Sequence, residues 1–292
     1  MNIKKNVAFI GLGTMGYPMA GHLSKSNLFN LRVYNRSSQK ATEWSKEYEG
    51  EVSNSIKEVV MDADFVVTCT GKDEDMMEIV FSDQGVITYL KKGSIFIDHT
   101  TTSADLAKNL ANEARLHECG FIDAPVSGGQ QGAEGGQLTV MCGGSVEDFA
   151  KIESVVACFS KAVTLMGPTG SGQLCKMVNQ ICIAGLVQGL AEGLNFAQRA
   201  GLDAHQVVDV ISKGAAQSWQ MENRYKTMLA GEYEHGFAVE WMRKDLSFAL
   251  EEAKTNGSAL PVAQLVDQYY AEVEALGGNR WDTSSLLARL QV

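Results

Sequence analysis

The chain is short of positive charge. Lys and Arg number 25 against 35 Asp and Glu, a formal net charge of −10 over 292 residues. A nucleic-acid surface needs clustered cations that displace counterions from phosphates. This balance therefore argues against one, and any anion must be held by a local site. Paired cysteines are missing too. Cys69, Cys119, Cys142, Cys158, Cys175 and Cys182 contain no C-x-x-C spacing, and the five histidines are scattered. No zinc-type ligand set can be drawn from them, no metal is expected, and reduced thiols in a cytoplasmic protein are the natural reading.

Long apolar runs are scarce as well. "MNIKKNVAFIGLG" has basic residues, but glycine interrupts its apolar run after a few positions, unlike a secretory leader. The charge-free stretch 177–191 would extend only ~22 Å as a helix, short of the ~30 Å hydrocarbon core, and Asn179, Gln180 and Gln188 interrupt it. It predicts a buried helix and no membrane span. There is no internal repeat. What remains is a globular composition, 45% hydrophobic and 21% charged, with length enough for two domains.

The two parts of the chain follow different patterns. Residues 6–10, 31–35, 65–70, 94–100 and 121–126 are short β-rich runs separated by helical stretches, followed by "LTVMCGG" and "AVTLMG". Their interiors are continuously apolar, which predicts a mostly parallel sheet covered by helices on both faces, an α/β Rossmann-type domain over 1–168. From "GPTGSG" onward strand-like runs vanish. A helix of roughly 30 residues suits a spine between domains, and helices over 203–213, 218–230, 240–256, 261–276 and 282–290 predict an all-α domain over 169–292. Asp203 and Asp282 stand where helix caps belong.

"VAFIGLGTMGYPMA" places Gly11, Gly13 and Gly16 in G-x-G-x-x-G spacing after a strand and at the start of a helix. The glycines allow a tight turn, close approach of backbone to a pyrophosphate, and tight packing of helix on strand. The helix N-terminus adds free N–H groups and partial positive charge. The run Gly11, Leu12, Gly13, Thr14, Met15 and Gly16 is thus the dinucleotide site. After the second strand, where a carboxylate would grip the ribose hydroxyls of NAD, stands "NRS". Neutral Asn35 removes the repulsion a 2′-phosphate would meet, and Arg36 with Ser37 offers donors and a positive charge, so NADP(H) is expected over NAD(H).

With "GLGTMGYPMAGHL", "DHTTTS", "DAPVSGGQQGAEGGQLTVMCGG", "GSGQLCKMVNQ" and "KDLSFALEEA" in order, the chain resembles the β-hydroxyacid dehydrogenase family over nearly its whole length. That family includes 3-hydroxyisobutyrate dehydrogenases, tartronate semialdehyde reductases and glyoxylate/succinic semialdehyde reductases. His22 departs from the family's usual asparagine. The resemblance implies a long interdomain helix and a homodimer or homotetramer built through the helical domain. It also implies hydride transfer between the cofactor and a small anionic aldehyde, 2-oxo acid or hydroxy acid.

Hydride delivery to a carbonyl carbon leaves negative charge on its oxygen, which needs a proton or a cation. Lys176 is the candidate general acid, and base in reverse, because the family's catalytic lysine lies in its motif. Asn179, three residues on and so on the same helical face, orients it or the substrate oxygen. In "PVSGG", Ser127 offers a hydroxyl, while Gly128 and Gly129 let backbone N–H groups approach; the family binds the substrate carboxylate there. The resemblance further implies Thr101 near the nicotinamide ribose and substrate, Lys244 over the nicotinamide end of the cofactor, and Phe237 and Asp245 beside the substrate. "SWQMENR" (218–224) and the arginines Arg224 and Arg243 are candidates to shape or charge the pocket. Two other readings stand beside this one: an imine reductase-like NADPH enzyme, which would generally carry another residue at Lys176, and a non-catalytic dinucleotide-binding module.

Overall fold

A computed structural model describes residues 4–291. The chain divides into two compact units, the first ending at Lys176 and the second starting at Met177. Among the described residues the first holds nine strands: β1 (Lys5–Ile10), β2 (Phe29–Tyr34), β3 (Glu51–Val52), β4 (Phe65–Thr68), β5 (Ile95–Asp98), β6 (Gly120–Asp123), β7 (Val126–Ser127), β8 (Leu138–Gly144) and β9 (Ser160–Gly167). Their order is β3-β2-β1-β4-β5-β6-β8-β7, with β9 also pairing β8. From β3 to β6 every pair is parallel, whereas β8 runs antiparallel to β6 and β7. The two-residue strands β3 and β7 were not legible in the pattern, since two residues carry no periodicity.

Helices α1 (Gly16–Ser26), α2 (Ser38–Glu47), α3 (Ile56–Val60), α4 (Asp73–Phe81), α5 (Val86–Tyr89), α6 (Ala104–Leu116), α7 (Gly129–Glu134) and α8 (Val146–Val156) connect the strands. Alternate strand residues explain the continuous apolar runs. Val7, Phe9, Val33, Val67 and Ile97 pack with Leu23, Trp44 and Ile152 from α1, α2 and α8. Their neighbours Ala8, Ile10, Val66 and Phe96 pack with Val59, Met76 and Leu110 from α3, α4 and α6. Each large apolar side chain buried in this way contributes roughly 1.5–3 kcal/mol.

The winding places the site. From β1 the chain steps outward to β2 and β3, then returns to the other side of β1 for β4, β5 and β6. A crevice opens at the carboxyl ends of strands where the direction of winding reverses. The register aligns those ends: Tyr34, Ile10, Thr68, Asp98 and Asp123 stand in one row across five strands. Each strand's next residue, namely Asn35, Gly11, Cys69, His99 and Ala124, therefore emerges on one edge.

Helix α9 (Ser171–Arg199) is 29 residues long and crosses from the first unit into the second at Met177. By length and composition alone it could cross a membrane. Its Ala184, Val187, Ala191 and Leu194 are nevertheless core residues of the second unit. They pack with α10 (Ala204–Ile211), α11 (Trp219–Ala230), α12 (Val239–Asn256), α13 (Pro261–Ala275) and a 3₁₀ helix (Thr283–Leu290). Asp203 accepts from the His205 and Gln206 N–H groups, and Asp282 from that of Ser284, so both act as caps. The last segment winds as 3₁₀ rather than α; Thr283 to Leu287 are all buried, so no solvent face imposes a 3.6-residue period. α12 begins at Val239, which puts Lys244 and Asp245 in its second turn.

Candidate active site

The nucleotide end is built around missing side chains. Gly11 has φ +102°, and a Cβ there would lie 2.2 Å from Cys69 O; a Cβ on Gly16 would lie 2.0 Å from Gly11 O. Both positions demand glycine for the chain's own packing. At Gly13 an added Cβ would meet nothing within 4 Å, so this part of the turn faces open space at the start of α1. A glycine turn with open space before a helix N-terminus, flanked by Leu12, Thr14 and Met15, fits a dinucleotide pyrophosphate.

Asn35 is a brace. Its Oδ1 accepts from Leu12 N at 2.8 Å, and its Nδ2 donates to Ser37 O at 3.0 Å, tying the glycine turn to the end of β2. Ser37 is the N-cap residue of α2, yet its side chain makes no capping hydrogen bond. The Arg36 guanidinium is largely exposed, 3.5 Å from Asp75 Oδ1 and 3.7 Å from Glu78 Oε2 on α4. Asp73, at the start of the same helix, accepts from Ser103 N and Oγ and so ties α4 to the start of α6. His22 explains its departure from the family pattern: its Nε2 lies 3.1 and 3.0 Å from the carbonyls of Ala133 and Glu134, joining α1 to the end of α7.

The middle of the strand row is polar and sealed. Asp98 is fully buried and accepts from Thr68 Oγ1 at 2.8 Å and Thr100 N at 2.9 Å, while its Oδ2 has no hydrogen-bond partner among the described residues. Burial pushes its pKa up to about 7, with Asp123 adding to the rise and the threonine bonds opposing it. Beside it, burial lowers His99 to about 4, so the ring is neutral; its Nδ1 donates to Ala124 O at 2.6 Å. Asp123, raised by burial to about 6, accepts from Gly170 N at 2.8 Å and Gln173 N at 3.0 Å, the free N–H groups at the head of α9. This contact is backbone-close. A Cβ on Gly172 would lie 2.4 Å from Met141 O, and one on Gly143 would lie 2.5 Å from Asp123 Oδ1.

Lys176 lies one turn beyond Gln173 and is 7% exposed. Thr101 sits half-buried in the loop after β5. Ser127 pairs with Thr139 across β7 and β8, and Gly128 and Gly129 follow with φ of +137° and +63°, conformations that a side chain would strain. All these residues belong to the first unit. In the second, Asn179 donates to Gln180 Oε1 at 2.7 Å, Gln180 donates to Asp245 Oδ2 at 2.7 Å, and Asp245 Oδ1 faces Lys244 Nζ at 3.2 Å. Phe237 N donates to Asp282 Oδ2, and Asp282 also pairs with Arg224 at 3.4 Å. Arg243 is matched by Asp267 and Glu274. The charges of Arg224 and Arg243 are thus already balanced within the helical unit, which counts against a second anion site there.

The model for the NAD-binding domain of 6-phosphogluconate dehydrogenase matches residues 6–167. Residues 170–290 match that for the NAD-binding region of NADP-dependent 3-hydroxyisobutyrate dehydrogenase. An uncharacterized oxidoreductase of Shewanella frigidimarina is 57% identical over 98% of both chains. Mouse mitochondrial 3-hydroxyisobutyrate dehydrogenase is 32% identical, over 100% of this chain and 88% of its own. The protein belongs to the β-hydroxyacid dehydrogenase family. Its solved members include the Mycobacterium tuberculosis 3-hydroxyisobutyrate dehydrogenase with L-serine, 26% identical, TM-score 0.89, over 99% of this chain and 100% of that one. As a β-hydroxyacid dehydrogenase the protein is an NAD(P)-dependent oxidoreductase.

Asp98, Asp123 and Gln173 were not among the residues singled out from the sequence of this dehydrogenase. "DHTTTS", "DAPVSGG" and "GSGQ" contain all three, but only the strand register brings them together. The buried carboxylates make a pH signature. Their folded pKa values lie above the ordinary 3.8, so each holds a proton that the unfolded chain has lost, and each lowers stability as pH rises toward about 6 or 7. His99 works oppositely, adding stability as pH rises from about 4 to 6.5. In urea melts without cofactor, Asp98→Asn is expected to lessen the loss of stability between about pH 6 and 7 relative to wild type. An unchanged slope would show that Asp98 does not carry it.

Proposed function

We propose that this dehydrogenase uses NADPH to reduce a small aldehyde or 2-oxo acid bearing a carboxylate, such as glyoxylate or a semialdehyde, to the hydroxy acid. The observation that carries this is Lys176, an enclosed ammonium at the head of α9 in the unit that holds the glycine turn and the Ser127 loop. A lysine held there can give a proton to a carbonyl oxygen, which gains negative charge as hydride reaches its carbon.

When bound, the nicotinamide supplies hydride to the carbonyl carbon. Lys176 gives the proton to the oxygen, completing a two-electron reduction, and takes it back in the oxidative direction. The Ser127 hydroxyl and the backbone at Gly128 and Gly129 hold the carboxylate, and Thr101 borders the reacting centre. Asn179 follows Lys176 by one turn and uses the part of its amide not taken by Gln180 to orient the lysine or the substrate oxygen. Lys244, Asp245 and Phe237 are assigned the nicotinamide and substrate end by family resemblance. A scaffold that only bound a dinucleotide would not need both the Ser127–Gly129 loop and Lys176, and an imine reductase generally has another residue at the lysine position.

For the cofactor, Arg36 and the uncommitted Ser37 hydroxyl at the head of α2 favour a 2′-phosphate. Asp75 and Glu78 compete for the guanidinium, but exposed ion pairs contribute about 0–1 kcal/mol. Charge-assisted bonds to phosphate contribute roughly 1.5–3 kcal/mol. A 2′-phosphate, with more charge and several acceptor oxygens, is the partner proposed for Arg36. The match of residues 170–290 to an NADP-dependent relative agrees.

We infer a homodimer or homotetramer through α9. Val178, Leu186 and Phe196 are exposed on it, while an added Cβ at Gly189 or Gly193 would meet nothing within 4 Å, leaving room for close approach of a second helix.

Lys176→Ala is expected to lower turnover at least ~10²-fold in an NADPH-oxidation panel of glyoxylate and succinic, tartronate and methylmalonate semialdehydes, with NADPH binding nearly intact. Retained turnover would sink the mechanism. Arg36→Ala should raise the KM for NADPH much more than that for NADH; equal effects would refute the phosphate role. By light scattering, Gly189→Arg should shift a dimer or tetramer toward smaller species, and a wild-type monomer would end the assembly proposal.

A further inference from the structure

The Gln173 side chain reads the peptide backbone as a neighbouring strand would. It is fully buried, its Oε1 accepts from Thr102 N at 3.1 Å, and its Nε2 donates to Thr100 O at 2.8 Å. These two bonds straddle Thr101. The Gln173 backbone N–H is meanwhile spent on Asp123 Oδ2 at the end of β6. The first turn of α9 is therefore fixed twice, to the end of β6 through its backbone and to the loop after β5 through one amide. Lys176 is three residues further along the same helix, so it projects from the face on which Gln173 stands.

We propose that Gln173 is a positioning residue for the reaction, acting through its two bonds to the Thr100–Thr102 backbone to set the distance between Thr101 and Lys176. The inference rests on the assignment of Lys176 as the proton donor. Its chemistry follows from the amide: only a group with a donor and an acceptor side by side satisfies both a carbonyl and an N–H of an extended segment. Methionine fills the same space with neither bond. Glutamate keeps the acceptor for Thr102 N but turns a second oxygen on the Thr100 carbonyl, until protonation restores a donor there. A misplacement of about 1 Å at a reacting centre costs on the order of 10²-fold in rate.

The test uses Gln173→Met and Gln173→Glu in the full-length protein, with the panel compound that wild type turns over fastest. NADPH affinity is read separately by nucleotide fluorescence and folding by thermal melts. In Gln173→Met, kcat is expected to fall roughly 10–100-fold, with NADPH affinity within about twofold of wild type and a smaller change in KM. In Gln173→Glu, kcat relative to wild type should recover as pH falls, because the protonated carboxyl regains the donor. Unchanged kcat in Gln173→Met, or an equal loss of NADPH affinity and kcat, would overturn the proposal. So would a Gln173→Glu pH profile parallel to wild type, or failure of both variants to fold, since each reduces Gln173 to a packing residue. Lys176→Ala separates the two levels: if it stays active the reaction assignment fails, whereas an inactive Lys176→Ala beside a fully active Gln173→Met removes the positioning role alone.

Discussion

The first unit depends on one contact, the docking of the α9 N-terminus on the ends of β6 and β8. Asp123 supplies the negative charge that the exposed N–H groups of a helix start require, and its bonds to Gly170 and Gln173 hold the turn in register. No side chain can intervene, because Gly143 and Gly172 leave room only for backbone. Loss of either glycine's small size would move the helix start, and Lys176 with it. The cost of the arrangement is visible in the carboxylates. Asp98 and Asp123 are neighbours in register, both buried, and both held above their ordinary pKa. Desolvation outweighs the hydrogen bonds they receive.

The same economy governs charge elsewhere. A protein with net charge −10 that acts on anions cannot rely on a general positive field. Its cations are individually placed. Arg224 and Arg243 are matched by acids within the helical unit, Lys244 by Asp245, and Arg36 by Asp75 and Glu78. Lys176 is set apart by its place one turn into α9, beyond the clamp that Asp123 and Gln173 form.

Much of this was legible in the chain. Continuous apolar strands of five or six residues signalled a sheet covered on both faces, and that sheet is present with its main strands near the expected positions. The glycine turn was legible because its spacing encodes steric demands local to a dozen residues. Asp203 and Asp282 were legible as caps for the same reason. What escaped was short or distant. β3 and β7 are too brief for a pattern. The final helix read as α because apolar spacing does not distinguish i+3 from i+4 winding over eight residues. Asn35 was legible as a neutral residue at the end of β2, but not the two bonds by which its amide braces Leu12 and Ser37.

The sequence by itself determined the family, the class of cofactor and the alternation of elements, since each rests on neighbours within one turn, one strand or one motif. Only the tertiary structure decided which residues share an edge. Asp98, Asp123 and Gln173 lie 25 and 50 residues apart along the chain, and nothing local announces that a carboxylate at the end of one strand will cap a helix that begins 48 residues later. Parallel pairing of β5 with β6 set Asp98 beside Asp123, and the antiparallel return of β8 along β6, with β9 beside β8, brought the start of α9 to the same strand end.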